Sequence, residues 1–83
     1  MHRATRRFWA SCAKLSEDIQ NLARKNYALL KANPHHPSLQ FKKIGHLGSA
    51  RVGLHHRALA AEDGEGFIWV WIGTHAEYER LIK

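Results

Sequence analysis

Apolar residues recur at spacings of three and four through the first third of the chain: Phe8, Cys12, Leu15, Ile19, Leu22, Ala23, Tyr27 and Leu30, with charged residues between them. That period predicts helix over residues 5–32 with one face turned inward. Ser16, followed by Glu17 and Asp18, has the form of an N-cap with acidic first-turn residues. It divides the segment into a short helix ending near Lys14 and a longer one from Glu17, an antiparallel helical hairpin. Asn33-Pro34 ends the second helix, because the residue before proline is pushed out of the α region, and His35-His36-Pro37-Ser38 continues as loop.

From Leu39 the period falls to two. Leu39 to Ile44 reads as a short strand before Gly45-His46-Leu47-Gly48, and Ser49 to Ala60 alternates as one half-solvated strand. In that strand Arg51, His55 and Arg57 share a face. Glu62 to Gly66 is a glycine-rich turn. Phe67-Ile68-Trp69-Val70-Trp71-Ile72 is apolar on both faces and is expected to be the central strand of an antiparallel sheet. His75 to Lys83 reads as a short helix with Tyr78, Leu81 and Ile82 turned to the core. The pattern predicts an α+β fold: an N-terminal helical hairpin on a small curved antiparallel sheet, with a short C-terminal helix, all in one domain spanning residues 1–83.

Composition narrows the partners. The 83 residues carry 13 Lys+Arg against 7 Asp+Glu, a formal charge of +6, which favours a polyanionic partner. Apolar residues at 45% are too many for a disordered basic tail. Cys12 stands alone and no CxxC pair exists, so neither an internal disulfide nor a structural zinc site is expected. The apolar run from Phe67 to Ile72 is too short to cross a bilayer, and the basic start at Met1 to Arg7 leads into no signal-peptide core. A cytoplasmic protein without membrane or cofactor requirements is the expectation.

Three groups of side chains could carry chemistry. Arg51 and Arg57 offer guanidiniums whose planar forks suit phosphate, against the plainer reading of a solvated strand face. His75, where a buried strand passes into a helix, is placed to move a proton near neutral pH, against the plainer reading of a helix-start residue. Trp69 and Trp71 fall on one face of the expected strand and could stack bases, although apolar surroundings make core burial the simpler account. Lys42 and Lys43 flank this region as charge. His35-His36 and His55-His56 lack metal-ligand spacing.

Taken in order, Asn33-Pro34-His35-His36-Pro37-Ser38-Leu39, Arg51-Val52-Gly53, Arg57-Ala58-Leu59 and Trp71-Ile72-Gly73-Thr74-His75-Ala76-Glu77-Tyr78 resemble the toxins of RelE/ParE-family type II toxin–antitoxin systems. The resemblance runs from about Phe8 to Leu81. It implies a helical hairpin over a curved sheet with a basic concave face. It also implies a metal-independent endoribonuclease, an mRNA interferase working in association with the ribosome, or, in the ParE branch, a DNA gyrase inhibitor that binds without catalysis. Carried onto this chain, Arg57 would hold the scissile phosphate, Arg51 would line the RNA path, His75 would be general acid and Tyr78 would orient the substrate. The resemblance matches no general base; His55 is the candidate because it shares the strand face with the arginines, and Lys42 or Lys43 could serve in its stead. An acidic cognate antitoxin is the implied partner, with mRNA as substrate. A plain nucleic-acid-binding module, without cleavage, is the remaining alternative.

Overall fold

The computed structural model describes residues 2–64 and 66–82. The expected extension of the last helix to Lys83, the place of Glu65 in the expected turn and the first residue of the basic start lie outside these. The element order is β1 (His2–Ala4), α1 (Arg6–Cys12), α2 (Glu17–Ala32), β2 (Lys42–Ile44), β3 (Leu47–Val52), β4 (His56–Asp63), β5 (Gly66–Thr74) and α3 (His75–Leu81).

Each helix of the hairpin begins at a side chain that satisfies an orphan backbone donor. Thr5 Oγ1 accepts from Phe8 N at 3.0 Å, and Ser16 Oγ accepts from Ile19 N at 3.4 Å. Gln20 knits the link between the helices by donating from Nε2 to Ala13 O and Leu15 O. Asn33-Pro34 stops α2 as expected, and a 3-10 turn, Pro37–Leu39, follows. Leu39 therefore belongs to that turn, fully buried, and not to a strand. Gln40 is left-handed at φ 43°, and the strand proper starts at Lys42.

The five strands lie in the order β1-β5-β4-β3-β2. All neighbouring pairs are antiparallel except β1 with β5, so the sheet is mixed. Sequence pattern had no means of finding β1, because three residues carry no period. Its addition beyond β5 makes β4 the middle strand, with β5 interior between β1 and β4.

The expected single strand from Ser49 to Ala60 is instead a hairpin. Gly53 turns at φ 71°, a conformation that an L side chain resists, and residues 53–55 connect β3 to β4. A second departure lies in β5. Leu59 pairs with Trp71 and Ala60 with Trp69, so Val70 is the extra residue of a bulge. The bulge turns Trp69 and Trp71 to opposite faces of the sheet, contrary to the shared face expected from strict alternation.

One face of the sheet packs on the hairpin. Phe8, Cys12, Ala23 and Leu30 meet Ala50, Val52, Ala58, Ala60, Trp69 and Ile72 there. Trp69 is 1% exposed, and its indole N–H donates to His2 Nδ1 at 3.1 Å. His2 also stacks on Phe67 and meets Phe41 edge-on, so a histidine closes this core end.

That bond needs Nδ1 as acceptor, and burial pushes the His2 imidazole below its ordinary value of 6.5. The unfolded chain therefore binds more protons between the two values. Stability is full above about 6.5 and falls as pH drops toward the folded value. Glu62 and Glu77 are both held below 4.5, Glu62 first by Lys43 and Glu77 first by the Thr74 backbone N–H, so their contribution is lost only in stronger acid. Melting curves across this range should show a His2 step between the lowered value and 6.5. It should vanish in His2→Phe, while the loss below 4.5 persists.

Candidate nucleic-acid interface

The other face of the sheet carries most of the residues singled out from sequence. Cross-strand partners share a face, and Arg51 is paired with Arg57, which is paired in turn with Gly73. The next row is Lys42, Ser49, Leu59 and Trp71. Lys42 thus stands on the arginine face, exposed. Lys43 falls on the opposite face, where it forms an ion pair with Glu62, itself near His46. Of the two lysines only Lys42 is placed with the arginines.

Arg57 is 5% exposed. Its Nε and Nη2 both donate to Ser49 Oγ, at 3.2 and 3.0 Å, and Nη2 also reaches the carbonyl of Gln40 at 3.4 Å. The Tyr78 ring covers it, with the guanidinium carbon 5.0 Å from the ring centroid. Every one of these partners is neutral, and among the described residues no carboxylate lies within ion-pair distance of Arg57. A buried cation in this setting is costly and attracts any anion able to reach it. Arg51 is half-buried. Its Nε donates to Gly53 O at 3.0 Å, and its own carbonyl accepts from Asn26 Nδ2 at 2.9 Å, tying β3 to α2.

α3 starts where β5 ends because Thr74 and Glu77 cap it reciprocally, Thr74 Oγ1 accepting from Glu77 N and Glu77 Oε1 accepting from Thr74 N. A helix of this length is marginal alone. Tyr78, its only buried residue, docks it on the sheet face and has a hydroxyl with no partner among the described residues. His75, at the first helical position, is half-exposed. Its Nε2 pairs with Glu79 Oε1 at 2.9 Å, and its ring lies 5.8 Å from the Tyr78 ring. His75 and Arg57 therefore both flank Tyr78. His55 sits in the β3–β4 turn, exposed, and not on the strand face; its carbonyl accepts from His75 N at 2.8 Å, so the two histidines meet at one end of the sheet.

The structure thus brings Arg57, Tyr78 and His75 together at one end of this face beside the His55 carbonyl. Arg51 is paired with Arg57 in the sheet, but its side chain turns to Gly53 O and a groove lined by α2 residues such as Leu22 and Asn26; Lys42 is a row away and Lys43 apart. Sequence reading missed Ser49 and Gln40. Ser49 is fully buried and is the residue that aims Arg57, yet only the hairpin pairing reveals it. Among the described residues no group of three or more His, Cys, Asp or Glu gathers as metal ligands would.

A two-helix hairpin on a small sheet, with a short terminal helix across a basic opposite face, defines the class to which this chain is assigned. The ParE-like toxin domain matches residues 17–80, and the chain belongs to that family. Its fold is similar to that of YafQ from E. coli strain BL21(DE3), at TM-score 0.68 and 15% identity over 94% of this chain and 96% of that one. It is also similar to a copper-bound mutant toxin from Helicobacter pylori, at TM-score 0.61 and 14% identity over 92% and 94%. No curated protein sequence matches it. The α+β class and the RelE/ParE-like toxin assignment expected from sequence are both met. No helix among the described residues is long and apolar enough to cross a membrane.

Proposed function

We propose that this toxin domain is an endoribonuclease that cleaves mRNA, in association with the ribosome, by driving a ribose 2′-hydroxyl onto the adjacent phosphate. The observation that carries the reading is the buried Arg57 guanidinium, held by neutral acceptors and lacking a counter-ion. In the reaction the 2′-oxygen bonds to phosphorus as the phosphorus–O5′ bond breaks. A base accepts the 2′-proton, His75 donates a proton to O5′, and the products are a 2′,3′-cyclic phosphate and a 5′-hydroxyl. Arg57 stabilises the charge that grows on the phosphoryl oxygens. His55, whose carbonyl accepts from His75 N, is the base candidate, and Lys42 is the lysine on the arginine face; alignment by Arg51 and Tyr78 supplies the rest.

Tyr78 packs on Arg57 and both are nearly sealed from solvent, so a phosphate reaches the guanidinium only if this end of the face opens. The same seclusion favours a second reading, a ParE-like inhibitor that binds DNA gyrase and leaves Arg57 structural. Primer extension on transcripts after induction separates the two. The nuclease reading expects discrete 5′ ends within minutes, lost in the His75→Ala variant. Intact transcripts with an induced DNA-damage response would support gyrase instead. An acidic antitoxin, attracted by the +6 charge and folding over this face, is the expected inhibitor.

A further inference from the structure

We infer that Trp71 is the seat for one nucleobase of the RNA, next along the strand from the linkage gripped by Arg57; the inference rests on the nuclease reading above. The other two tryptophans are committed. Trp9 packs edge-on against Phe8 and Tyr27, and Trp69 is sealed between His2, Phe41 and the core. Trp71 is half-buried, and among the described residues it has no aromatic partner and its indole N–H no acceptor. It lies instead in an open cleft of about 250 Å³ with Glu77, Arg80 and Leu81.

The ring is held in place by an absence. A Cβ on Gly73 would stand 2.5 and 2.8 Å from two Trp71 ring carbons, and 2.9 Å from Glu77 Oε1. Glycine here leaves room for the indole to lie against the backbone at the start of α3. Gly73 is also the β5 partner of Arg57, so Trp71 comes two residues before the phosphate position on the same face, about 7 Å along the strand. Two residues beyond Gly73 stands His75. The order along the chain is then a flat aromatic surface, a cation and a proton donor. Arg80, which has no ion-pair partner among the described residues, adds a charge at the rim of the aromatic surface. A base stacked on an aromatic ring beside a guanidinium is the common arrangement for gripping single strands without reading their sequence.

The test uses a short RNA made uncleavable by 2′-deoxy substitution, offered free and on programmed ribosomes, with an abasic nucleotide moved one position at a time. For the wild type, one abasic position should weaken binding by about 5- to 150-fold, the range of a single stacked base. In Trp71→Leu that one penalty should disappear while penalties elsewhere stay, and Trp71→Phe should restore it. Gly73→Ala, which displaces the ring without removing it, should behave as Trp71→Leu does and serves if the leucine variant folds poorly. Identical abasic profiles in folded wild type and Trp71→Leu would overturn the seat and leave the nuclease reading intact. Failure of the wild type to bind RNA in either setting would overturn both.

Discussion

Arg57→Gln is expected to lower RNA cleavage by about 10²- to 10³-fold, the cost of losing one group that stabilises transition-state charge, while leaving the melting temperature unchanged or raised. The two halves of this result come from one observation. Arg57 is nearly sealed from solvent yet meets only a hydroxyl, a carbonyl and an aromatic ring. Taking a cation into such a place works against folding. Without that cost, a neutral amide, whose nitrogen falls where Nε stands, keeps a donor to Ser49 and gives up only the long contact to Gln40. Arg57→Ala is a poorer probe, since it empties the space beneath Tyr78 and strands the Ser49 hydroxyl. A gain in stability paired with a loss of activity is the signature of a residue kept for function. Paired cleavage assays and thermal melts of the glutamine variant measure both. Wild-type cleavage by the folded variant would remove Arg57 from the reaction.

His75→Ala is expected to reduce cleavage by about 10²- to 10⁴-fold, the range of a lost general acid. Its stability should hold within about 0.5 kcal/mol of wild type, as for other surface changes. The imidazole is half-exposed and contacts chiefly Glu79 on its own helix, so little of the fold rests on it. Glu79→Gln keeps His75 but removes the carboxylate that orients Nε2, and a smaller loss is expected there. Single-turnover cleavage of a model RNA, with melts as control, distinguishes these outcomes; equal losses in both variants would mean that the His75–Glu79 pair acts as one unit, and undiminished cleavage by folded His75→Ala would remove the imidazole from the reaction.

Long periodic segments with chemical end-marks were legible from sequence. The spacing of Phe8, Cys12, Ala23 and Leu30, with Ser16 and Asn33-Pro34 as boundaries, yields α1 and α2 nearly as they stand. Short elements were not. β1 is three residues, and its partner Phe67 is distant in the chain. The hairpin at residues 53–55 was hidden by parity. Arg51 and Arg57 are six positions apart, an even number, so a continuous strand and a hairpin both assign them to one face. They differ in distance: about 20 Å along one strand, against about 5 Å between cross-strand partners. His55 lost its expected place for the same reason, because the turn consumes it. The bulge at Val70 defeated alternation in the opposite way, separating two tryptophans that a regular strand would have kept together.

Both outermost strands of the sheet are only three residues long, and one of them presents Lys42 and Lys43. An apolar, flat margin of unpaired amides and carbonyls invites other chains to stack on and polymerise, and brief, charged margins deny them purchase. A protein this basic and this rich in β-structure thus offers little flat margin from which fibres could be seeded. What backbone ladder is left to extend lies beyond those short margins, along Val70–Thr74 of β5 and Ala50–Val52 of β3, so a partner that adds a strand has only these two brief stretches to use.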